Sequence, residues 1–177
     1  MKKLFFSLFI FVSSFAQAQY DNNWALGFRV GEPLGVNVRK YFSEGDKAFD
    51  INVGTYGFLY GRTRYYAKKK DPVYDGSGLM IQGLYSWHKN PVNINWLHLT
   101  YGFGGQINSR RIPLISRVDG NIKQVSLGPA AASGIEIKLP NNDIGIFLDA
   151  GGYVEILPRP FFSNLQISGG ARLNLVR

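Results

Sequence analysis

The sequence predicts an all-β fold: a closed antiparallel up-and-down transmembrane β-barrel behind a cleaved leader. Three observations carry this. Apolar and polar residues alternate with period two through most of the 177 residues, the signature of strands that show different faces to different surroundings. The alternating segments number about eight, and most approach the roughly 9–11 residues a tilted strand needs to cross a bilayer. Their connections also sort by rim. Three short polar stretches, at 43–47, 89–93 and 139–143, follow the second, fourth and sixth segments. The longer connections, 61–78 and 105–122, fall on the opposite rim. Short inner turns and long outer loops are what a membrane barrel requires.

The leader is read from its layout. Met1-Lys2-Lys3 is a basic start, Leu4 to Phe15 is apolar apart from serines, and Ala16-Gln17-Ala18 is a small-x-small cleavage site. This is a secretory signal peptide, and its apolar run is too short for a spanning helix. Residues 1–18 are therefore expected to leave, and residues 19–177 to form one barrel domain. With 0 cysteines, an exported chain of this size is no disulfide scaffold, so backbone pairing and packing must hold it. The formal net charge is +8. Outside the cytoplasm such a charge points to anionic lipid headgroups and away from nucleic acid.

The segments follow in order. Trp24, Leu26, Phe28 and Val30 alternate with Ala25, Gly27, Arg29 and Gly31. Val36, Val38 and Phe42 alternate with Asn37, Arg39 and Tyr41. Phe49, Ile51, Val53 and Thr55 alternate with Asp50, Asn52 and Gly54, and Leu79, Ile81, Tyr85 and Trp87 with Gln82, Ser86 and His88. Leu97, Leu99, Tyr101 and Phe103 alternate with His98, Thr100, Gly102 and Gly104. Val125, Leu127, Ala131, Ile135 and Ile137 alternate with Gln124, Ser126, Gly134, Glu136 and Lys138. Ile144, Ile146, Leu148, Val154 and Ile156 alternate with Gly145, Asp149, Gly151 and Glu155. Leu165, Ile167, Ala171, Leu173 and Leu175 close the series, against Gln166, Ser168, Gly170, Arg172 and Asn174.

The polar set chooses the faces. It holds Arg29, Arg39, Asp50, Glu136, Asp149, Glu155 and Arg172, whereas the apolar set is almost free of charge, with Lys40 as its main exception. An eight-stranded interior is just wide enough for side chains to fill it. Charges packed there must pair, so these seven residues are expected to form an ion-pair network across the lumen. Trp24, Tyr41, Phe42, Trp87 and Trp96 fall near strand ends, and Tyr60, Tyr65 and Tyr66 near the start of a long loop. Both groups suit an interfacial aromatic girdle.

Two stretches carry a family likeness. The last ten residues, SGGARLNLVR, place Ser168, Gly170, Leu173 and Leu175 at the positions of the carboxy-terminal signal of outer-membrane barrels, with Arg177 where the usual final aromatic would stand. FRVGEPLGVNVRKYF, residues 28–42, is similar to the first hairpin of the same proteins. The chain thus resembles the small eight-stranded outer-membrane β-barrel proteins of Gram-negative bacteria. The resemblance implies an outer-membrane location, a monomer, and recognition of the last strand by the barrel-assembly machinery. It specifies no activity.

Catalytic chemistry has few candidates. Ser86 and His88 share a face at i, i+2, but they sit beside the inner turn, away from the outer leaflet where a lipid hydrolase or acyltransferase must work. His98 belongs with the polar filling. No metal pattern is visible, and no cofactor is expected. The outer loops remain. Arg62, Arg64, Lys68, Lys69 and Lys70 lie in one, and Arg110, Arg111 and Arg117 in another. Guanidinium and ammonium groups there suit the phosphates of lipopolysaccharide. The leading expectation is a structural or surface-interaction barrel. The alternatives are a lipid-modifying enzyme and a soluble exported barrel with its apolar face inward.

Overall fold

The computed structural model describes residues 23–57, 78–91, 94, 96–112, 122–139, 143–157 and 160–175, with the side chains of 110–112 and 122–124 left aside. Eight strands close on themselves: β1 (Trp24–Gly31), β2 (Leu34–Phe42), β3 (Lys47–Tyr56), β4 (Gly78–Lys89), β5 (Leu97–Ile112), β6 (Ile122–Lys138), β7 (Ile144–Glu155) and β8 (Phe162–Leu175). Every neighbouring pair is antiparallel, and β8 returns to β1. Closure leaves no edge strand, so the backbone is satisfied within the sheet, as a bilayer demands.

The register fixes the strand tilt. Stepping between paired residues from Leu97 leads through Ile137, Ile146, Ala171, Phe28, Val36, Val53 and Ile81 back to β5 at Ile107, ten residues further on. A shear of ten across eight strands tilts them by roughly 40° to the axis. Because the offset is even, each residue keeps its face around the whole circuit.

The faces are inverted relative to a soluble barrel. Arg29, Arg39, Asp50, Glu136, Asp149, Glu155 and Arg172 are buried, while Phe28, Phe103, Leu148 and Leu165 are exposed. The soluble alternative, with its apolar residues inside, is thereby overturned. Lys40, on the apolar face, sets its ammonium 5.2 Å from the Trp24 ring centroid at the end where β1 begins.

The inner turns are locally encoded. Ser43, Glu44 and Gly45 all take positive φ (49°, 59° and 90°) in a tight 3₁₀ turn between β2 and β3. Between β4 and β5, the Asn90 side chain brackets Ile94: its Oδ1 accepts from the Ile94 amide (2.9 Å) and its Nδ2 donates to the Ile94 carbonyl (3.0 Å).

Two expectations need correction. The segment 105–122 is strand at both of its described ends. β5 runs to Ile112 and β6 starts at Ile122, because Gln106, Ile107 and Asn108 continue the in–out alternation. Among the described residues β5 pairs with β4 as far as Asn108 and with β6 on to Ile112. Tyr41 is not a girdle residue. It shares the parity of Arg39 and is fully buried in the lumen.

Candidate functional site

The lumen is built in two layers, both by period two. The first is ionic. β2 and β3 place Arg39 and Asp50 directly opposite each other, and the pair is bidentate: Nε donates to Oδ1 (2.6 Å) and Nη2 to Oδ2 (2.9 Å). Arg39 Nη1 reaches across the barrel to Glu136 Oε2 on β6 (2.7 Å). Arg172 on β8 donates Nη1 to the same oxygen (2.8 Å). Tyr41 donates its hydroxyl to Glu136 Oε1 (3.2 Å). On the other side Arg29 Nη2 meets Asp149 Oδ2 at 3.1 Å, and Arg172 Nη2 lies 3.7 Å from that oxygen.

Three guanidiniums thus face three carboxylates, none more than 11% exposed at its side chain. At such depth each charge needs its counter-charge and further hydrogen bonds. Neutral groups supply the latter. Arg29 donates to Ser168 Oγ (2.6 Å) and Asn52 Oδ1 (2.8 Å), Arg172 Nε to Asn37 Oδ1 (2.6 Å), and Ser86 Oγ to Asp50 Oδ2 (2.9 Å). Phe147 lies under both cations, 3.7 Å from Arg172 Cζ and 5.3 Å from Arg29 Cζ to its ring centroid, a cation–π geometry.

The second layer is neutral and leads toward the outer rim. Asn52 Nδ2 donates to Gln82 Oε1 (2.9 Å), and Gln82 Nε2 to Gln106 Oε1 (2.9 Å) and Gln166 Oε1 (3.1 Å). Gln106 Nε2 then donates to Asn108 Oδ1 (2.8 Å), and Asn108 Nδ2 to Ser126 Oγ (3.2 Å), which also accepts from the Tyr153 hydroxyl (3.1 Å). The space remaining at the ionic layer, bounded by Arg29, Arg39, Asp50, Ser86, Thr100 and Asp149, is about 20 Å³. That holds about one water molecule.

The singled-out residues divide accordingly. Arg29, Arg39, Asp50, Glu136, Asp149 and Arg172 stand together in the ionic layer. Glu155 is fully buried but stands apart, roughly 20 Å further along β7 than Asp149. Arg110 and Arg111 lie on β5, and Arg62, Arg64, Lys68, Lys69, Lys70 and Arg117 fall outside the described residues. Ser86 and His88 share the lumen face without bonding each other. Ser86 turns to Asp50, and His88 Nε2 sits 2.8 Å from Arg39 Nη1, so Nε2 must accept and the ring proton falls on Nδ1. Among the described residues no group of His, Asp and Glu is placed to hold a metal ion. The amide layer, Phe147 and Tyr153 were not singled out from sequence. Their inward parity was the available signal.

A closed barrel with a charged interior and an apolar wall defines the transmembrane β-barrel class. Its fold is that of the small eight-stranded outer-membrane barrels. The N-terminal β-barrel domain of Pseudomonas aeruginosa OprF matches with a TM-score of 0.63 and 12% identity over 88% of this chain and 98% of that one. Neisserial surface protein A (NspA) matches with a TM-score of 0.53 and 12% identity over 86% of this chain and 94% of that one. At these identities the likeness is one of fold. No protein-family model and no curated protein matches the sequence.

Proposed function

We propose that this protein is a small integral barrel of the Gram-negative outer membrane, exported on residues 1–18, with a structural or surface-interaction role and no catalysis. The observation that carries the reading is the filled lumen. Ionic and amide layers bridge the interior of the described barrel, and the space at the ionic layer is about 20 Å³, room for about one water, which favours a plug over a pore. Ser86, the one serine beside a histidine, is committed to Asp50 and faces away from lipid. The basic residues of the outer connections, Arg62, Arg64, Lys68, Lys69, Lys70 and Arg117, together with Arg110 and Arg111 near the end of β5, contact the phosphates of lipopolysaccharide. β8, which closes the barrel against β1, is the strand offered to the barrel-assembly machinery.

The test begins with expression in a Gram-negative host, membrane fractionation and electrophoresis with and without boiling. Outer-membrane recovery and a heat-dependent mobility shift support the reading. The purified barrel is then added to planar bilayers. Stepwise conductance would refute the plugged lumen, and a soluble periplasmic product would refute the location.

A further inference from the structure

On the outer wall, one patch is left hollow by its own side chains. Ala131 and Ser133 on β6 and Ala150 on β7 floor a depression of about 350 Å³. Beside it, on β4 and β5, stands an aromatic ridge. Trp87 stacks on Tyr101, with centroids 5.6 Å apart and planes 17° apart, and lies 5.5 Å from Phe103. Phe103 is 63% exposed. The patch also carries two hydroxyls, Tyr101 and Ser133, which are direct register partners. Neither has a hydrogen-bond partner among the described residues. Both lie on the outer wall, Tyr101 beside Trp87, where a facing copy can pair them.

We propose that this face is the interface of a symmetric dimer of this chain, in place of the monomer expected from sequence. Phe103 of one copy seats in the hollow of the other, and Tyr101 donates its hydroxyl to Ser133 Oγ of the other. Both contacts occur twice about a two-fold axis along the membrane normal. Lipid tails are as apolar as the wall, so apolarity alone drives no association. Close packing over small residues and hydroxyl contacts do.

The geometry suits that axis. Copies facing each other across it exchange left for right, so the ridge on the β4–β5 side of one meets the hollow on the β6–β7 side of the other. Depth agrees as well. At this shear, hydrogen-bonded rows climb about 3 Å per strand from β5 toward β7, and each residue along a strand climbs about 2.5 Å. Phe103, two residues outward of Tyr101, therefore lies at a depth between those of Ser133 and Ala150.

The inference rests on the barrel being in a membrane, and the test reads the two separately. The mature chain carrying Glu44→Cys in an inner turn is labelled with donor or acceptor dye. It is then reconstituted in phosphatidylcholine vesicles over a series of protein-to-lipid ratios. Insertion is scored by the boiling shift, and association by energy transfer. Transfer should saturate for the otherwise unaltered chain. Phe103→Ala and Ala131→Trp, one removing the knob and one filling the hole, should each raise the half-saturation ratio more than about tenfold. Ser133→Ala, losing two symmetry-related hydrogen bonds, should raise it roughly sevenfold. Phe28→Ala, on the far wall, should change nothing. An inserted chain that shows no transfer at any ratio overturns the dimer and leaves the membrane reading standing. So does transfer indifferent to both Phe103→Ala and Ala131→Trp, or an inserted monomer that retains a lipid which Ala131→Trp releases. A chain that does not insert overturns both.

Discussion

Glu136→Gln isolates the charge of the lumen from its shape. Glu136 Oε2 accepts from Arg39 at 2.7 Å and from Arg172 at 2.8 Å, and its side chain is 2% exposed. The amide has the same outline. It can keep an oxygen between the two arginines and turn its nitrogen toward the Tyr41 oxygen, which can accept in place of donating. What disappears is one negative charge, leaving three guanidiniums against two carboxylates. Breaking a buried ion pair by removing one partner costs about 3–5 kcal/mol, and the retained hydrogen bonds place this change near the lower end, about 3 kcal/mol. With a urea slope of roughly 1–3 kcal/mol/M, the midpoint should fall by about 1–3 M. The assay is equilibrium urea unfolding in lipid vesicles, followed by tryptophan fluorescence and the boiling shift. Adding Arg172→Met restores the balance of charge and should recover part of the loss. A midpoint shift below about 0.3 M at unchanged slope, or a double variant weaker than the two single losses combined, would refute charge coupling across the lumen.

Three further outcomes are expected. Gly170→Ala should sharply lower the folded fraction on unboiled gels, because an added Cβ would run into the Phe28 carbonyl oxygen and stand 2.8 Å from the Phe147 ring; an unchanged folded fraction would mean that the β8–β1 seam yields more easily than its packing implies. Intact-mass measurement of the membrane protein should place its first residue at Gln19, and a mass including Met1 would remove the cleaved leader. Replacing Arg62, Arg64, Lys68, Lys69 and Lys70 together by glutamine should weaken binding to lipopolysaccharide vesicles by at least about tenfold at low salt, since each basic group near an anionic surface contributes about 1 kcal/mol. Dephosphorylated lipopolysaccharide should bind the original and altered chains alike.

The fold was legible because period two states two things at once. It marks strands, and the position of Arg29, Arg39, Asp50 and Arg172 within it states which face is inside. Single-strand periodicity carries no information on partners across the barrel. That Glu136 would bridge Arg39 and Arg172 depends on strands distant in the chain, and on a shear visible only once all eight pairings are known. Glu155 shows the limit. Its parity and charge match those of Asp149, yet its depth separates it from the arginines. Phe147 shows the converse, an apolar residue at inward parity whose ring supports two cations. Charge-based selection passes over such a residue. The segment 105–122 reads as a loop because its serine and arginines at 109–111 mask an alternation that Gln106 and Asn108 continue.

The ionic layer also bears on register. A one-residue slip of β3 against β2 would turn the apolar residues of the slipped strand inward, and the bilayer forbids it. A two-residue slip would leave each residue on its proper face, so the hydrophobic pattern cannot oppose it. Arg39 and Asp50 can. They are direct register partners joined by two hydrogen bonds of 2.6 and 2.9 Å, and a two-residue shift would move them about 7 Å apart along the strand. Two buried charges would then be without their bidentate partners, at a cost of about 3–5 kcal/mol. Gly27 and Arg172 are likewise paired across the β1–β8 seam. A Cβ at Gly27 would meet Arg172 Cγ at 2.7 Å, so only a glycine opposite lets that guanidinium fold into the lumen. The apolar wall thus selects the faces, and the charged interior selects among the registers that the wall leaves equivalent.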